Sequence, residues 1–189
     1  MSGNTRNSAP GAPVDLSFKC INLVADAMLE EPRMGLKPVK RCKDGKLLSQ
    51  ALRLNNNILT DLQGFGETME KLLSDSSQLS WIDLSFNDLS TIDPVLTTYL
   101  QLSVLNLHGN SIRQLSEVDK LACLPNLKSL TLHGNPIETE KGYRSYILSV
   151  LPQLKSLDFS GVTKQDRVMA DVWRRTNGKQ KRAKRIKEE

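Results

Sequence analysis

The chain has two histidines, His108 and His133, each followed by Gly-Asn. A pair of imidazoles is the first place to look for chemistry, because imidazole binds metals and moves protons near neutral pH. A zinc site takes three or four ligands, and Asp83 is the best third candidate within reach. No cysteine or carboxylate stands in the neighbouring positions equivalent to the two histidines, so the expectation is a surface pair that holds no metal. Catalytic patterns are missing as well. The sequence has no Gly-x-Gly-x-x-Gly, no phosphate-binding lysine loop, no Gly-x-Ser-x-Gly and no His-Glu-x-x-His. With no catalytic residue and no cofactor expected, the chain reads as not an enzyme.

Two other groups of side chains could do binding rather than catalysis. Trp81 and Phe86 are large aromatics at positions predicted to be exposed, and exposed aromatics are enriched at binding hot spots. The competing reading has the N-terminal cap or the long segment after the first repeat folding over them. At the other end, Lys179, Lys181, Arg182, Lys184, Arg185 and Lys187 form a run of like charge. Such a run reads as solvated disorder, as a nuclear-import or nucleic-acid patch, or as a contact for an acidic surface such as a microtubule. Base readout of nucleic acid is not expected, because no aromatic interleaves the run.

What must position these groups is a repeat. Leu79-x-x-Ile82-x-Leu84-x-x-Asn87-x-Leu89 recurs as Leu102-x-x-Leu105-x-Leu107-x-x-Asn110-x-Ile112 and as Leu127-x-x-Leu130-x-Leu132-x-x-Asn135-x-Ile137. An earlier copy runs Leu52-x-Leu54-x-x-Asn57-x-Leu59, and a late partial copy runs Leu154-x-x-Leu157-x-Phe159. This is the leucine-rich repeat pattern. Leu-x-Leu is a short strand whose leucines share a face, and one unit cannot bury that face alone. Stacked units form a continuous core with a parallel sheet on the concave side. The asparagine amides are expected to satisfy backbone groups at the turns. The fold class is therefore α/β: a solenoid of about five repeats with helical N- and C-terminal caps.

In this register the positions beside the core leucines face the concave side. Arg53, Trp81, Asp83, Phe86, Asn106, His108, Thr131 and His133 are the expected partner-binding residues. Phe86 shares its column with Asn56, Gly109, Gly134 and Gly161.

The ends are different in character. Net charge is +3 over residues 1–48, −4 over 49–173 and +6 over 174–189. Residues 1–13 are polar and read as disordered, with no secretory leader. Residues 14–47 read as an N-terminal cap, helical from Leu16 to Leu29 on the spacing of Phe18, Ile21, Val24 and Met28, then irregular and basic. Repeats fill 48–162, with a longer helical return at Phe65, Met69, Leu72 and Leu73 and tight turns stepping by three from Ile112 to Leu127. An amphipathic helix is predicted over 138–150 and a strand over 154–159. A C-terminal helix over 163–177 starts at a Thr163–Asp166 cap and stops at Asn177-Gly178. A basic tail follows over 178–189. Cys20, Cys42 and Cys123 are scattered, which suggests free thiols in a reducing compartment. No apolar run is long enough to span a membrane, so no membrane contact is expected.

Tyr143-Arg144-x-Tyr146, Leu151-Pro152, Leu154, Leu157-Asp158, Val162-Thr163 and Arg167 resemble the cap that closes a cytoplasmic class of leucine-rich repeat proteins. A closer resemblance to one family in that class rests on runs outside the repeat consensus. They include Glu30-Glu31-Pro32-Arg33, Ile92 to Thr98 and Asp158 to Lys164, and Trp81 to Leu89 within a repeat matches as well. The resemblance implies an intracellular, non-enzymatic adaptor or scaffold from organisms with motile cilia, and hence a place in the cytoplasm or ciliary axoneme. A nuclear ribonucleoprotein role, similar to the spliceosomal A-prime type, and phosphatase regulation are the alternatives.

Overall fold

The computed structural model describes the backbone of residues 11–187 and the side chains of residues 11–176. The strands are β1 (Val14–Asp15), β2 (Lys40–Arg41), β3 (Leu47–Leu48), β4 (Ala51–Arg53), β5 (Trp81–Asp83), β6 (Val104–Asn106), β7 (Ser129–Thr131), β8 (Ser156–Leu157) and β9 (Ser160–Gly161). The α-helices are α1 (Phe65–Leu72), α2 (Tyr143–Val150) and α3 (Lys164–Lys187). One sheet runs β1-β4-β5-β6-β7-β8-β9, parallel except for the last pair. Leu52, Ile82, Leu105, Leu130 and Leu157 lie in one row across it, and all five are fully buried. Burying each such side chain is worth roughly 1.5–3 kcal/mol, which only the stack can supply.

The asparagines tie the repeats together. Asn110 accepts from Leu89 N and donates to Leu84 O and Leu107 O at 3.0, 3.0 and 2.9 Å. Asn87 and Asn135 repeat that pattern one unit earlier and one unit later. Asn57 does the same for the cap, holding Leu16 O, Lys19 N and Ile21 N.

That last contact corrects the N-terminal reading. The segment over Leu16–Leu29 is not one helix. Val14–Asp15 adds a strand to the sheet, residues 16–21 follow the turn of the next repeat, and only Val24–Leu29 makes a 3₁₀ turn. Phe18 and Met28, expected on a buried helical face, are exposed, while Leu16, Ile21, Val24 and Ala27 enter the core. The reason is long-range: the open backbone edge of β4 and the amide of Asn57 need a repeat-like partner more than this segment needs a helix. The basic stretch after it also holds a small antiparallel pair, β2 with β3.

The returns follow the sequence more closely. α1 buries Phe65, Met69 and Leu72, and Leu115–Cys123 is a 3₁₀ run that buries Val118 and Leu121. α2 begins only at Tyr143, because Gly142 sits at φ 80° and breaks the chain away from the 3₁₀ turn Pro136–Thr139.

The last strand is also a correction. Phe159 does not continue it into the core. Asp158 and Phe159 both take positive φ (51° and 61°) and turn the chain back into β9. Two left-handed residues are what a tight two-residue hairpin requires. Gly161 consequently lies in β9 rather than in the column of Gly109 and Gly134. α3 starts at the predicted cap, with Asp166 N donating to Thr163 Oγ1 and Thr163 N donating to Asp166 Oδ2. It does not stop at Asn177-Gly178 but continues to Lys187. One interior glycine costs only about 1 kcal/mol, and the Lys, Gln, Arg and Ala that follow favour helix. Asp166 also receives Arg144 at 2.8 and 3.0 Å, which holds its carboxyl well below the usual range.

Candidate functional site

The concave face is built from the short strands, so its side chains are set by the register. It is less open than the sequence predicts. Thr131 is fully buried, and Asp83, Asn106 and His108 are nearly so. These four are withdrawn from the contact surface by hydrogen bonds, three of them to one another and Asp83 to Ser85. Asp83 accepts from Ser85 N and Ser85 Oγ at 3.0 and 2.6 Å. Thr131 Oγ1 donates to Asn106 Oδ1 and meets His108 Nδ1 at 2.8 Å. Arg53 is half-exposed but engaged, 3.2 Å from Asp15 of β1. Trp81 is also half-exposed, in a recess shared with Gly11, Pro13 and Val104. The N-terminal segment thus reaches Trp81 but leaves Phe86 uncovered.

Trp81 and Phe86 do not form one patch. Trp81 is at the start of β5, whereas Phe86 lies past its end, on the rim where the chain turns. That rim is a column of left-handed residues: Phe18, Asn56, Phe86, Gly109 and Gly134, with φ between 52° and 69°. Each but Gly134 sends its N–H to a carbonyl of the next repeat, those of Asn55, Ser85, His108 and His133 in turn. Two repeats use glycine there, as the backbone favours. Phenylalanine at such a φ is an outlier that costs energy.

Around Phe86 an aromatic cluster is assembled. The His108 and His133 rings stack with centroids 4.6 Å apart and planes 9° from parallel. Phe86 meets His108 edge-on at 5.1 Å. Phe159, delivered by the β8–β9 hairpin, meets both histidines at 5.6 and 5.5 Å. A Cβ on Gly109 would fall 2.6 Å from the Phe86 ring, so only glycine lets that ring lie over the turn. Phe86 is 52% exposed and Phe159 69%. Phe159 was not among the expected partner-binding residues. Its only sequence signal is a phenylalanine in a slot the earlier repeats fill with leucine.

The histidines do not fit a metal site. Their lone pairs lie in nearly parallel planes, and both Nδ1 atoms face partners, Thr131 Oγ1 and, at 3.4 Å, Asp158 Oδ1. Asp83 is committed to Ser85. Among the described residues no group of three or more His, Cys, Asp or Glu could hold an ion.

Burial lowers the His108 pKa, repulsion from His133 lowers it further, and Asp83 and Asp158 oppose the shift. A histidine lowered in the folded state takes up its proton more readily in the unfolded chain, so it costs stability as pH falls below about 6.5. His108→Gln is therefore expected to flatten the decline in melting temperature between about pH 7.5 and pH 5. Parallel curves for the two proteins would exclude this role. Lys179, Lys181, Arg182, Lys184, Arg185 and Lys187 lie outside the residues whose side chains are described, although their backbone is helical. No helix among the described residues is long and apolar enough to cross a membrane.

Residues 84–187 match the family model described as leucine-rich repeat. A curated relative from Rattus norvegicus, leucine-rich repeat-containing protein 51, is 60% identical over 94% of this chain and 92% of its own length. The protein of that name from Homo sapiens is 59% identical over 90% of this chain and 89% of its own. Among solved structures, the Drosophila melanogaster SNF/U2A' complex contains a similar chain with a TM-score of 0.58 and 23% identity, covering 79% of this chain and 94% of that one. At that identity the likeness is one of fold.

Proposed function

Because the chain belongs to the leucine-rich repeat-containing protein 51 family, whose members carry leucine-rich repeats, we propose that it is a non-enzymatic, protein-binding adaptor. Its partner sits on the concave face and the adjoining rim. The observation that carries this reading is the pair Phe86 and Phe159, held in water by strained backbone on either side of a stacked histidine pair. Exposed apolar area on a rigid support is what a partner buries. His133, whose side chain is 36% exposed, adds a polar contact, and Arg53 and Trp81 extend the surface toward the N-terminal repeats.

The test separates strain from binding. Glycine accepts a φ of 52° better than phenylalanine does, so Phe86→Gly exchanges lost ring packing for relieved backbone. Its melting temperature is expected to stay close to the parent's. Affinity for the partner recovered from ciliated tissue should fall by about 2 kcal/mol or more. An unchanged affinity, or a loss that only tracks unfolding, defeats the assignment.

The proposal extends to place: the cytoplasm, as a structural component of the ciliary axoneme, with the basic C-terminal run against an acidic surface such as a microtubule. The free cysteines suit a reducing compartment, and the like charges of residues 174–189 suit an acidic polymer. Imaging the tagged protein at its native level in ciliated cells is expected to show axonemal signal. Nuclear signal with a ribonucleoprotein partner would favour the competing reading.

A further inference from the structure

The N-terminal cap carries a feature that neither the core nor the rim at Phe86 uses. Between Leu29 and β2 the chain runs through residues 30–39 without regular structure, yet its path is pinned. Arg33 N donates to Asp15 O at 2.7 Å, along the free edge of β1. The Arg33 guanidinium donates to Ser17 O at 3.3 Å and lies 5.3 Å from the centre of the Phe18 ring. At the far end Arg41 donates to Glu31 at 2.8 Å and to Gly45 O at 2.9 Å. Between these anchors Met34 is 95% exposed and Leu36 107%. Phe18, under Arg33, is exposed on a left-handed backbone at φ 58°. These side chains lie in water and contribute little to the folded chain by itself. A fixed loop that displays them points to a second surface.

The charge around the loop indicates what that surface meets. Arg33, Lys37, Lys40, Arg41, Lys43 and Lys46 stand against Asp44 alone, a net +5 over residues 33–46. All six cations are exposed or half-exposed. We propose that residues 32–38 are a docking element that inserts Met34 and Leu36 into an apolar recess on a partner protein whose surrounding surface is acidic. The charge complementarity is local and dense, within the reach of short-range screening. Single-stranded nucleic acid fits poorly, because residues 33–46 contain no aromatic and the single ring beside them, Phe18, carries the Arg33 guanidinium on one face. An anionic bilayer fits poorly too. Two side chains offer no broad apolar helix face.

The experiment uses the full chain and its Met34→Ser/Leu36→Ser double variant. Both positions lie in solvent, so the variant is expected to keep the parent's melting curve. A display library of random 16-residue peptides is selected on the parent. Binders should be enriched together in Asp or Glu and in Leu, Ile or Phe, and should lose tenfold or more in affinity for the double variant. Their binding should also weaken as salt is raised. Binders that ignore the double variant, or a selection without acidic enrichment, overturn the proposal. So does tighter binding of either protein to vesicles of mixed phosphatidylcholine and phosphatidylserine. Phe86→Gly should leave these peptides bound, which keeps this surface separable from the concave rim.

Discussion

Leu132→Asp is expected to leave no cooperatively folded protein. Leu132 is fully buried between the strand row and the turn held by Asn135, which donates to its carbonyl at 2.8 Å. The substitution removes a packed side chain, worth about 2–5 kcal/mol when a cavity remains, and leaves a carboxylate with no cation within the core. Burying an unpaired charge adds several kcal/mol more. A domain of this size has roughly 5–15 kcal/mol in total. Leu107→Asp, one repeat earlier in the same row, should behave alike. Circular dichroism on heating checks both: the parent should melt in one transition and the variants should show none. A soluble variant with the parent's melting curve would falsify the assignment of these leucines to the shared core.

Asn110→Ala is expected to be strongly destabilising although it truncates a polar side chain. It introduces no charge and little cavity, so its cost isolates the hydrogen bonds. Leu89 N loses its partner, while Leu84 O and Leu107 O each lose one of two amide donors and keep Asn87 and Asn135 respectively. Leaving the Leu89 N–H unsatisfied costs about 1–3 kcal/mol, and each of the two other lost bonds about 0.5–1.5 kcal/mol, so a loss of about 2–6 kcal/mol follows. Asn126 provides the control. It also donates to a backbone carbonyl, Leu100 O at 3.0 Å, but in an exposed setting where water replaces it. Asn126→Ala should cost under about 1 kcal/mol. Urea unfolding of the pair measures the difference directly, and similar midpoints would mean that the asparagine column is decorative.

The candidate site divides along the same line between local pattern and distant contact. Trp81, Phe86, His108 and His133 could be placed on the concave side because each stands at a fixed offset from a repeat leucine. Their exposure could not. Thr131 and Asp83 are closed off by hydroxyl and amide partners two residues away or on the next strand, and no pattern of spacing announces that. Phe159 was missed because its leucine-like offset pointed inward. The turn at Asp158 and Phe159 is held by partners elsewhere in the chain. Asp158 accepts from Leu132 N at 2.7 Å, His133 N at 2.9 Å and the Tyr143 hydroxyl at 2.8 Å.

By itself the sequence determined the repeat, its register, the buried leucine row, the asparagine ladder and the helical returns at Phe65 and Leu115. It could do so because every repeat solves the same local problem, and period 2 with a turn at Asn is written into nine or ten residues. Only the tertiary structure decided how the stack is closed and what its rim displays. The N-terminal segment has helix-like spacing, yet it joins the sheet because the β4 backbone and the Asn57 side-chain amide offer it partners 36 to 41 residues away. The last strand folds back because Asp158 is claimed by the preceding repeat and by α2. Contacts across such distances depend on the assembled stack, so they decide between conformations that local spacing leaves equal.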